Sequence, residues 1–254
     1  MGVRTQLLRW VMEYSPRAFT RMLPQRRQRL VLEVVRAAAA ASTPSERLRL
    51  YRVLAADAVT WPSNAREVDL HTAGLVHAVR TVADVPGEVV ECGVGHGASL
   101  VTLARAVHVL APSKRVLGFD SFGGFPPATA EDLGRRVPTV GEAPSGWTDT
   151  SPSMVVEALD APAELIPGFF DQTIPDRLPD AIAMLHVDCD LYSSTIRVLE
   201  HGLPRVSPGG LVILDEYREQ SRFPGAIAAI DEALSVRSLK PVWDGVLHRH
   251  VVWV

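Results

Sequence analysis

Cysteine and lysine are both scarce in this chain of 254 residues, which contains two of each. The cysteines, Cys92 and Cys189, lie in apolar segments, where a reduced thiol behaves as a small hydrophobe. We expect neither to be a nucleophile, and no Cys/His spacing suggests zinc. The lysines, Lys114 and Lys240, offer no Tyr-x-x-x-Lys proton relay, and its absence argues against an NAD(P) oxidoreductase.

Long apolar runs are also missing from the chain. No run approaches the roughly 20 residues that a spanning helix needs, and no charged-then-apolar start ends in a small-residue cleavage site. We therefore expect cytoplasmic localisation and no stable membrane insertion. A composition of 47% hydrophobic and 22% charged residues predicts one large α/β domain with a short additional segment. The net charge is −3, and we expect no nucleic-acid partner.

The first 30 residues differ in charge from the rest, with seven arginines and one acid, Glu13. Apolar periodicity predicts helices at 25–41 and 44–59, within a helical N-terminal segment 1–60 that serves oligomerisation or covers the substrate. Such a start could touch a membrane surface, an anionic partner or another subunit. We favour a helix that packs its apolar stripe on the main domain and leaves the arginines in solvent.

Four acidic residues follow two apolar segments of the chain. Asp188 and Asp190 come after the first segment, and Asp215 and Glu216 after the second. Both segments read as buried parallel strands, so the acids should meet at one sheet edge, where open α/β sheets bind ligands. Four clustered carboxylates need a cation, and hard oxygen ligands suit Mg²⁺ or a similar ion. Acids at strand ends can also simply cap helices, but two pairs on successive strands make that the weaker interpretation.

A glycine-rich loop follows the first predicted strand. Gly93, Gly95 and Gly97 let the backbone approach a ligand, and the next helix offers free N–H groups at its N-terminus. The loop predicts a nucleotide-type ligand, with Asp120 at a suitable distance to hold a ribose. The loop alone does not separate NAD(P) from S-adenosylmethionine. Glu91 favours the second, since its negative charge suits a cationic sulfonium better than a pyrophosphate.

Strand and helix patterns alternate regularly through the rest of the chain. This alternation predicts an α/β fold with a doubly wound, mostly parallel, seven-stranded sheet and right-handed connections. The predicted strands are 88–92, 115–120, 163–167, 181–188, 210–215, 239–243 and 247–254, and the predicted helices are 65–82, 98–110, 152–160, 192–203 and 224–235.

Residues 121–151 interrupt the alternation with a stretch rich in glycine and proline. Loops of this length inside a compact domain are usually lids, binding loops or disordered segments. Because this one follows Asp120 directly, we expect a lid. Its closure would exclude water from the site and shape the acceptor pocket.

Six collinear motifs of the chain resemble the macrocin O-methyltransferase family, which includes the tylosin, mycinamicin and novobiocin sugar O-methyltransferases. They read WPSNA from Trp61, GEVVECGVGHG from Gly87, DSFGGFP from Asp120, PGFF from Pro167, DCDLYSST from Asp188 and PGGLVILDEY from Pro208. The resemblance covers about residues 60–254. It implies a class I, Rossmann-like methyltransferase domain over 61–254, S-adenosylmethionine, a Mg²⁺ ion, and a homodimer or homotetramer. The implied acceptor is a deoxysugar hydroxyl on a natural product of macrolide or aminocoumarin type.

The resemblance also implies roles for individual residues. It places Asp188, Asp215 and Glu216 on the metal and makes Asp190 the general base. The residues that would hold the cofactor are Glu91, Gly93, Gly95, Gly97, Ser99, Asp120 and Ser121. Glu216 departs from the family, which usually has aspartate there. The longer side chain still reaches an ion but can shift the ligand geometry, and Mg²⁺ demands near-ideal octahedral coordination.

Three kinds of function are compatible with these motifs. We favour S-adenosylmethionine- and Mg²⁺-dependent O-methylation of a sugar hydroxyl on a glycosylated natural product, with a small-molecule glycoside as the partner. The second is O-methylation of a catechol or other vicinal diol on an aglycone. The third is a non-methyltransferase, either an NAD(P) oxidoreductase or a non-catalytic binding protein. A binding protein would be expected to have lost one of the acids, yet Asp188, Asp190 and Asp215 are all present.

Overall fold

The computed structural model describes residues 68–134, 137, 139–217, 222–247 and 249–254. The helices predicted at 25–41 and 44–59, the Arg-rich start and the WPSNA motif lie outside the described residues. The role of segment 1–60 therefore stays a prediction.

A seven-stranded sheet forms the centre of the described structure. Its strands are β1 (Glu88–Cys92), β2 (Val116–Asp120), β3 (Glu164–Pro167), β4 (Ile182–Val187), β5 (Val206–Leu214), β6 (Val242–Asp244) and β7 (Arg249–Trp253). The strand order is β3-β2-β1-β4-β5-β7-β6; β1 to β5 pair in parallel, and β7 is antiparallel to both of its neighbours. The predicted doubly wound, mostly parallel α/β sheet is confirmed.

Helices cover both faces of the sheet. Those of the described residues are α1 (Val68–Thr81), α2 (Ala98–Leu110), α3 (Pro152–Ala158), α4 (Phe170–Arg177), α5 (Tyr192–Gly202) and α6 (Pro224–Ser235). Strand β4 is buried on both sides, since Met184 packs in one apolar cluster with α1 and α2, and Leu185 packs in another with α5 and α6. None of the described helices combines the length and apolar character that a bilayer span requires.

Two elements differ from the sequence-based expectation. Helix α4 is not predicted, because it is short and contains Pro175, which pattern reasoning treats as a helix breaker. Strand β5 begins at Val206 and includes the Pro-Gly-Gly sequence, whereas the sequence predicts a strand that begins only at residue 210. The pairing with β4 shifts register across this sequence, and such a bulge tolerates proline and glycine.

The Gly/Pro-rich interval 121–151 folds back on itself. Ala128 and Glu142 are joined by a backbone hydrogen bond, and a short 3₁₀ turn covers Ala130–Asp132. The buried residues Ala128 and Val137 pack against Leu191, directly after the second predicted acid. The described part of this interval is thus docked on the carboxyl edge of the sheet, as a lid would be; whether it opens stays a prediction.

Candidate active site

A pocket of about 460 Å³ lies at the carboxyl edge of β1, β2 and β4. Its lining consists of Gly93, Val94, Gly95, Asp120, Ser121, residues 124–127, Trp147, residues 169–172, residues 188–190, Ser193, Ser194 and Arg197. The glycine loop and the first acidic pair, which the sequence places almost 100 residues apart, therefore face one cavity.

The glycine loop contacts the acidic loop through its backbone. Gly93 has φ +96°, and a Cβ atom at this position would lie 1.8 Å from the carbonyl oxygen of Asp188. The ends of β1 and β4 are also joined by a 2.9 Å hydrogen bond from Asp188 N to Cys92 O. Because only glycine fits here, the two loops keep a fixed separation.

Asp120 ends β2 and organises the glycine loop. Its Oδ2 accepts hydrogen bonds from Val94 N at 2.9 Å and Gly95 N at 2.8 Å, and its Oδ1 accepts one from Phe122 N at 2.7 Å. A carboxylate has about four acceptor positions, so one is left for a ligand in the pocket. Ser121 also lines the pocket; its hydroxyl donates to Gly124 O at 2.7 Å.

Three of the predicted cofactor residues do not line the pocket. Glu91 is fully buried, and its Oε1 lies 2.9 Å from Nδ1 of the equally buried His186. Glu91 Oε2 makes no hydrogen bond within the described residues. Gly97 is the N-cap residue of α2 and abuts Val155, and Ser99 lies in the first turn of that helix. A contact between Glu91 and the sulfonium stays a prediction.

All four predicted acids meet at the edge of β4 and β5. Carboxylate oxygens of Asp188, Asp190 and Glu216 lie within 4.8 Å of one another, and one ligand atom each from His186, Asp188 and Asp215 forms a second such group. Burial, followed by the charges of Asp215 and Asp190, raises the pKa of Asp188 well above its usual range. Crowded acids of this kind form a donor set that suits a hard divalent cation.

Asp215 already has a cationic partner. Arg249, at the start of β7, donates from Nε to Asp215 Oδ1 at 2.5 Å. The compact oxygen group, formed by Asp188, Asp190 and Glu216, contains Asp190, whereas the sequence predicts Asp215 as the third ligand. Asp215 belongs to the second group, with His186 and Asp188. Sequence reasoning missed Arg249 because it lies 34 residues from Asp215 and belongs to none of the motifs.

Asp190 has a strained backbone. Its φ is +63°, and the flanking residues close a tight turn through a 2.7 Å hydrogen bond from Leu191 N to Cys189 O. A non-glycine residue in this region costs about 1–3 kcal/mol and persists where the surroundings hold it in place. The side chain is buried and lines the pocket, so the strained turn lies at the wall of the cavity.

Several pocket residues have no role predicted from the sequence. Trp147 has φ +55°, and its ring lies over Gly95 and at 5.3 Å from the ring of His96. Phe169 and Phe170 precede and begin the unpredicted helix α4. Arg197 faces the pocket from α5 and is 3.3 Å from Nε2 of His201. The helical spacing of Ser193, Ser194 and Arg197, which places them on one face of α5, is the signal that could have identified this wall.

The strand order and the site together define a class of proteins. A sheet ordered β3-β2-β1-β4-β5-β7-β6, with a glycine loop after β1 and an acid ending β2, is the fold of the class I methyltransferases. The solved structure of the O-methyltransferase NovP matches with a TM-score of 0.60 and 28% identity, covering 76% of this chain and 83% of NovP. The calicheamicin methyltransferase CalS11 shares the fold with a TM-score of 0.59 and 24% identity, covering 84% of this chain and 93% of CalS11.

The sequence comparison narrows the class to one family. The profile described as Macrocin-O-methyltransferase (TylF) matches residues 11–245, and the chain belongs to this family. The 8-demethyl-8-(2,3-dimethoxy-alpha-L-rhamnosyl)-tetracenomycin-C 4'-O-methyltransferase of Streptomyces olivaceus is 35% identical over 169 residues, 62% of this chain and 64% of that relative. The mycinamicin III 3''-O-methyltransferase of Micromonospora griseorubida is 31% identical over 142 residues, 52% of this chain and 56% of that relative. The match thus spans less than two thirds of the length of these curated relatives.

Proposed function

We propose that this chain transfers a methyl group from S-adenosylmethionine to a sugar hydroxyl of a glycosylated natural product, of macrolide or aminocoumarin type. One observation carries the proposal: the glycine loop, Asp120, Asp188 and Asp190 all line the same pocket. Family membership supports methyl transfer, and the relatives named for rhamnosyl-tetracenomycin and mycinamicin support a glycoside acceptor. The NAD(P) oxidoreductase alternative has no support in these comparisons.

The donor end of the pocket is formed by the glycine loop. Asp120 holds the amides of Val94 and Gly95 in place and keeps an acceptor position for a ribose hydroxyl. The ring of Trp147, which belongs to the Gly/Pro-rich interval, lies against Gly95 at this end of the pocket. The donor supplies an electrophilic methyl group and leaves as a neutral thioether, so it needs orientation and no further activation.

The acceptor end contains the acids. An alkyl hydroxyl is a poor nucleophile at neutral pH, and Mg²⁺ held by Asp188, Glu216 and their neighbours would lower its pKa and fix its position. Asp190 lines the pocket and accepts the hydroxyl proton. The carbon–sulfur bond breaks as the carbon–oxygen bond forms, so the products are the methyl ether, the thioether and a protonated carboxyl group.

Other residues of the pocket lining suit a sugar attached to an apolar scaffold. Phe125, Phe169 and Phe170 offer aromatic faces, whereas Ser193 and Arg197 offer hydrogen-bond donors. The same aromatic faces favour a vicinal diol on an aglycone as the second candidate acceptor.

The proposal is tested by incubating the full chain with isotope-labelled S-adenosylmethionine and a panel of glycosylated natural products with their aglycones. Mass spectrometry should find one labelled methyl group on the sugar of at least one glycoside. Labelling of an aglycone diol with no labelled glycoside would favour the second candidate. Absence of any labelled product across the panel would contradict the proposed activity.

Replacing Asp120 by alanine should weaken the binding of S-adenosylmethionine or its demethylated product by about 1–3 kcal/mol, because a charged hydrogen bond is lost. The loop amides of Val94 and Gly95 also lose their acceptor. Calorimetry measures the change. Asp171→Ala is the matched control, since Asp171 is an exposed acid on the same pocket that makes no bond to the glycine loop. Unchanged affinity in Asp120→Ala, or NAD(P) binding in place of the methyl donor, would contradict this assignment.

A further inference from the structure

Helix α5 begins directly after the acidic loop and has no capping side chain of its own. Its N-cap residue is Leu191, which carries no side-chain oxygen, although the first amides of a helix need acceptors. Asp132, which lies 60 residues away in the sequence, supplies one: its Oδ1 accepts from Tyr192 N at 2.7 Å. The Gly/Pro-rich interval therefore caps the helix that follows Asp190.

The carboxylate of Asp132 is itself firmly held. Its Oδ2 accepts from Thr129 N at 2.8 Å and from Thr129 Oγ1 at 3.0 Å, and the residue is 1% exposed. The start of α6 closes the other side, since a Cβ atom on Gly225 would lie 1.9 Å from Asp132 Oδ1. The negative charge also suits the N-terminus of α5. Asp132 thus connects its own 3₁₀ turn with two helices.

The turn at Asp190 is attached to the same segment by its next two residues. Tyr192 is bonded to Asp132, and Leu191 is fully buried in a cluster with Ala128 and Val137. A φ of +63° at Asp190 persists only where the surroundings determine it. These contacts belong to the surroundings of the turn and lie outside the strands.

We infer that Asp132 is a positioning residue for Asp190, holding the strained turn so that the base faces the acceptor only while residues 125–134 are docked. This inference rests on the proposed function in one respect, that Asp190 is the base. The Gly/Pro-rich interval then has two roles. Residues 125–127 line the pocket, and the adjacent 3₁₀ turn holds the base in position.

The kinetic test compares Asp132→Ala, Asp132→Asn and Glu131→Gln in the full chain. The alanine variant should lose roughly 10- to 100-fold in kcat, because a misplacement of about 1 Å costs up to that factor. Its acceptor KM and donor affinity should stay within about twofold, since neither substrate touches Asp132. Asparagine keeps an oxygen for Tyr192 N and should recover most of the rate. Glu131, the exposed neighbouring acid, is the control and should leave kcat unchanged.

Hydrogen exchange provides a readout that does not depend on methyl transfer. In Asp132→Ala, the amides of residues 191–195 should exchange about tenfold faster, while those of β4 keep their protection. If the alanine variant fails to fold, Gly225→Ala replaces it, because its new Cβ atom would displace Asp132 Oδ1. Unchanged exchange, or a loss of donor affinity as large as the loss of kcat, would overturn the inference. If the wild-type chain methylates no acceptor, the proposed function fails, and the exchange result still decides whether Asp132 holds the turn.

Discussion

Replacing Asp190 by asparagine should lower kcat by roughly 10²–10⁴-fold and leave donor and metal affinity intact. The size of the loss is that of a positioned general base. Asparagine keeps the shape of the side chain and, like aspartate, tolerates positive φ, so the turn at Asp190 should survive the substitution. Steady-state kinetics over a range of pH measures the effect. Raising the pH should recover part of the rate as the acceptor hydroxyl ionises without the base.

Two further variants distinguish the loss of the base from the effect of backbone strain at Asp190. Asp190→Ala removes the base and also puts a residue with no polar side chain at φ +63°, so it should lose stability as well as turnover. Asp176→Asn changes an exposed acid on α4 that does not line the pocket and should retain near-normal turnover. If Asp190→Asn turns over at nearly the wild-type rate, the proton leaves by another route.

The positions of strands and helices could be predicted where burial makes the residues of an element mostly apolar. Strand β4 is apolar except for His186 because both of its faces are covered, and all six of its residues are buried. The acidic pairs follow where β4 and β5 end. The acids after β4 and β5 could therefore be placed together from the sequence alone.

The same reasoning does not predict which face of the sheet the Glu91 side chain occupies. Alternate residues of β1 face opposite sides of the sheet, so Glu91 shares its face with Val89 and points to His186 on β4. Its proximity to the glycines in the sequence says nothing about which face it occupies. Glu216, in contrast, is buried and joins Asp188 and Asp190 in one group of carboxylates, where the sequence places it.

Contacts between segments that are far apart in the sequence could not be predicted either. Asp132 and Tyr192, or Asp215 and Arg249, meet only because the sheet and the docked interval bring them together. Local patterns describe an element and its ends, and a long interval rich in glycine and proline carries no pattern that shows where it packs. The predicted site therefore contained the acids, the glycine loop and Asp120, which organises that loop, but lacked Asp132 and Arg249.

Removing divalent cations by exhaustive chelation should abolish methyl transfer, and Mg²⁺ should restore it. Asp188, Asp190 and Glu216 place carboxylate oxygens within 4.8 Å of one another, and Arg249 is bonded to Asp215, which lies outside this group. Like charges at this spacing repel strongly unless a cation or a proton lies between them. Calorimetry with Mg²⁺ on the chelated chain measures the binding apart from activity. Full turnover after chelation would remove the metal from the mechanism.

Two substitutions then test which acids hold the ion. Asp188→Asn should weaken Mg²⁺ binding, and high Mg²⁺ should recover part of its activity, whereas Asp190→Asn should bind the ion normally and stay slow at any Mg²⁺ concentration. Glu216→Asp should preserve or improve activity if the shorter acid usual in the family is simply the better ligand. Because Asp190 belongs to the compact oxygen group, a loss of Mg²⁺ affinity in Asp190→Asn as large as that in Asp188→Asn would make both residues ligands. The division between ligand and base would then be wrong, and the proton acceptor would have to be sought elsewhere along the pocket.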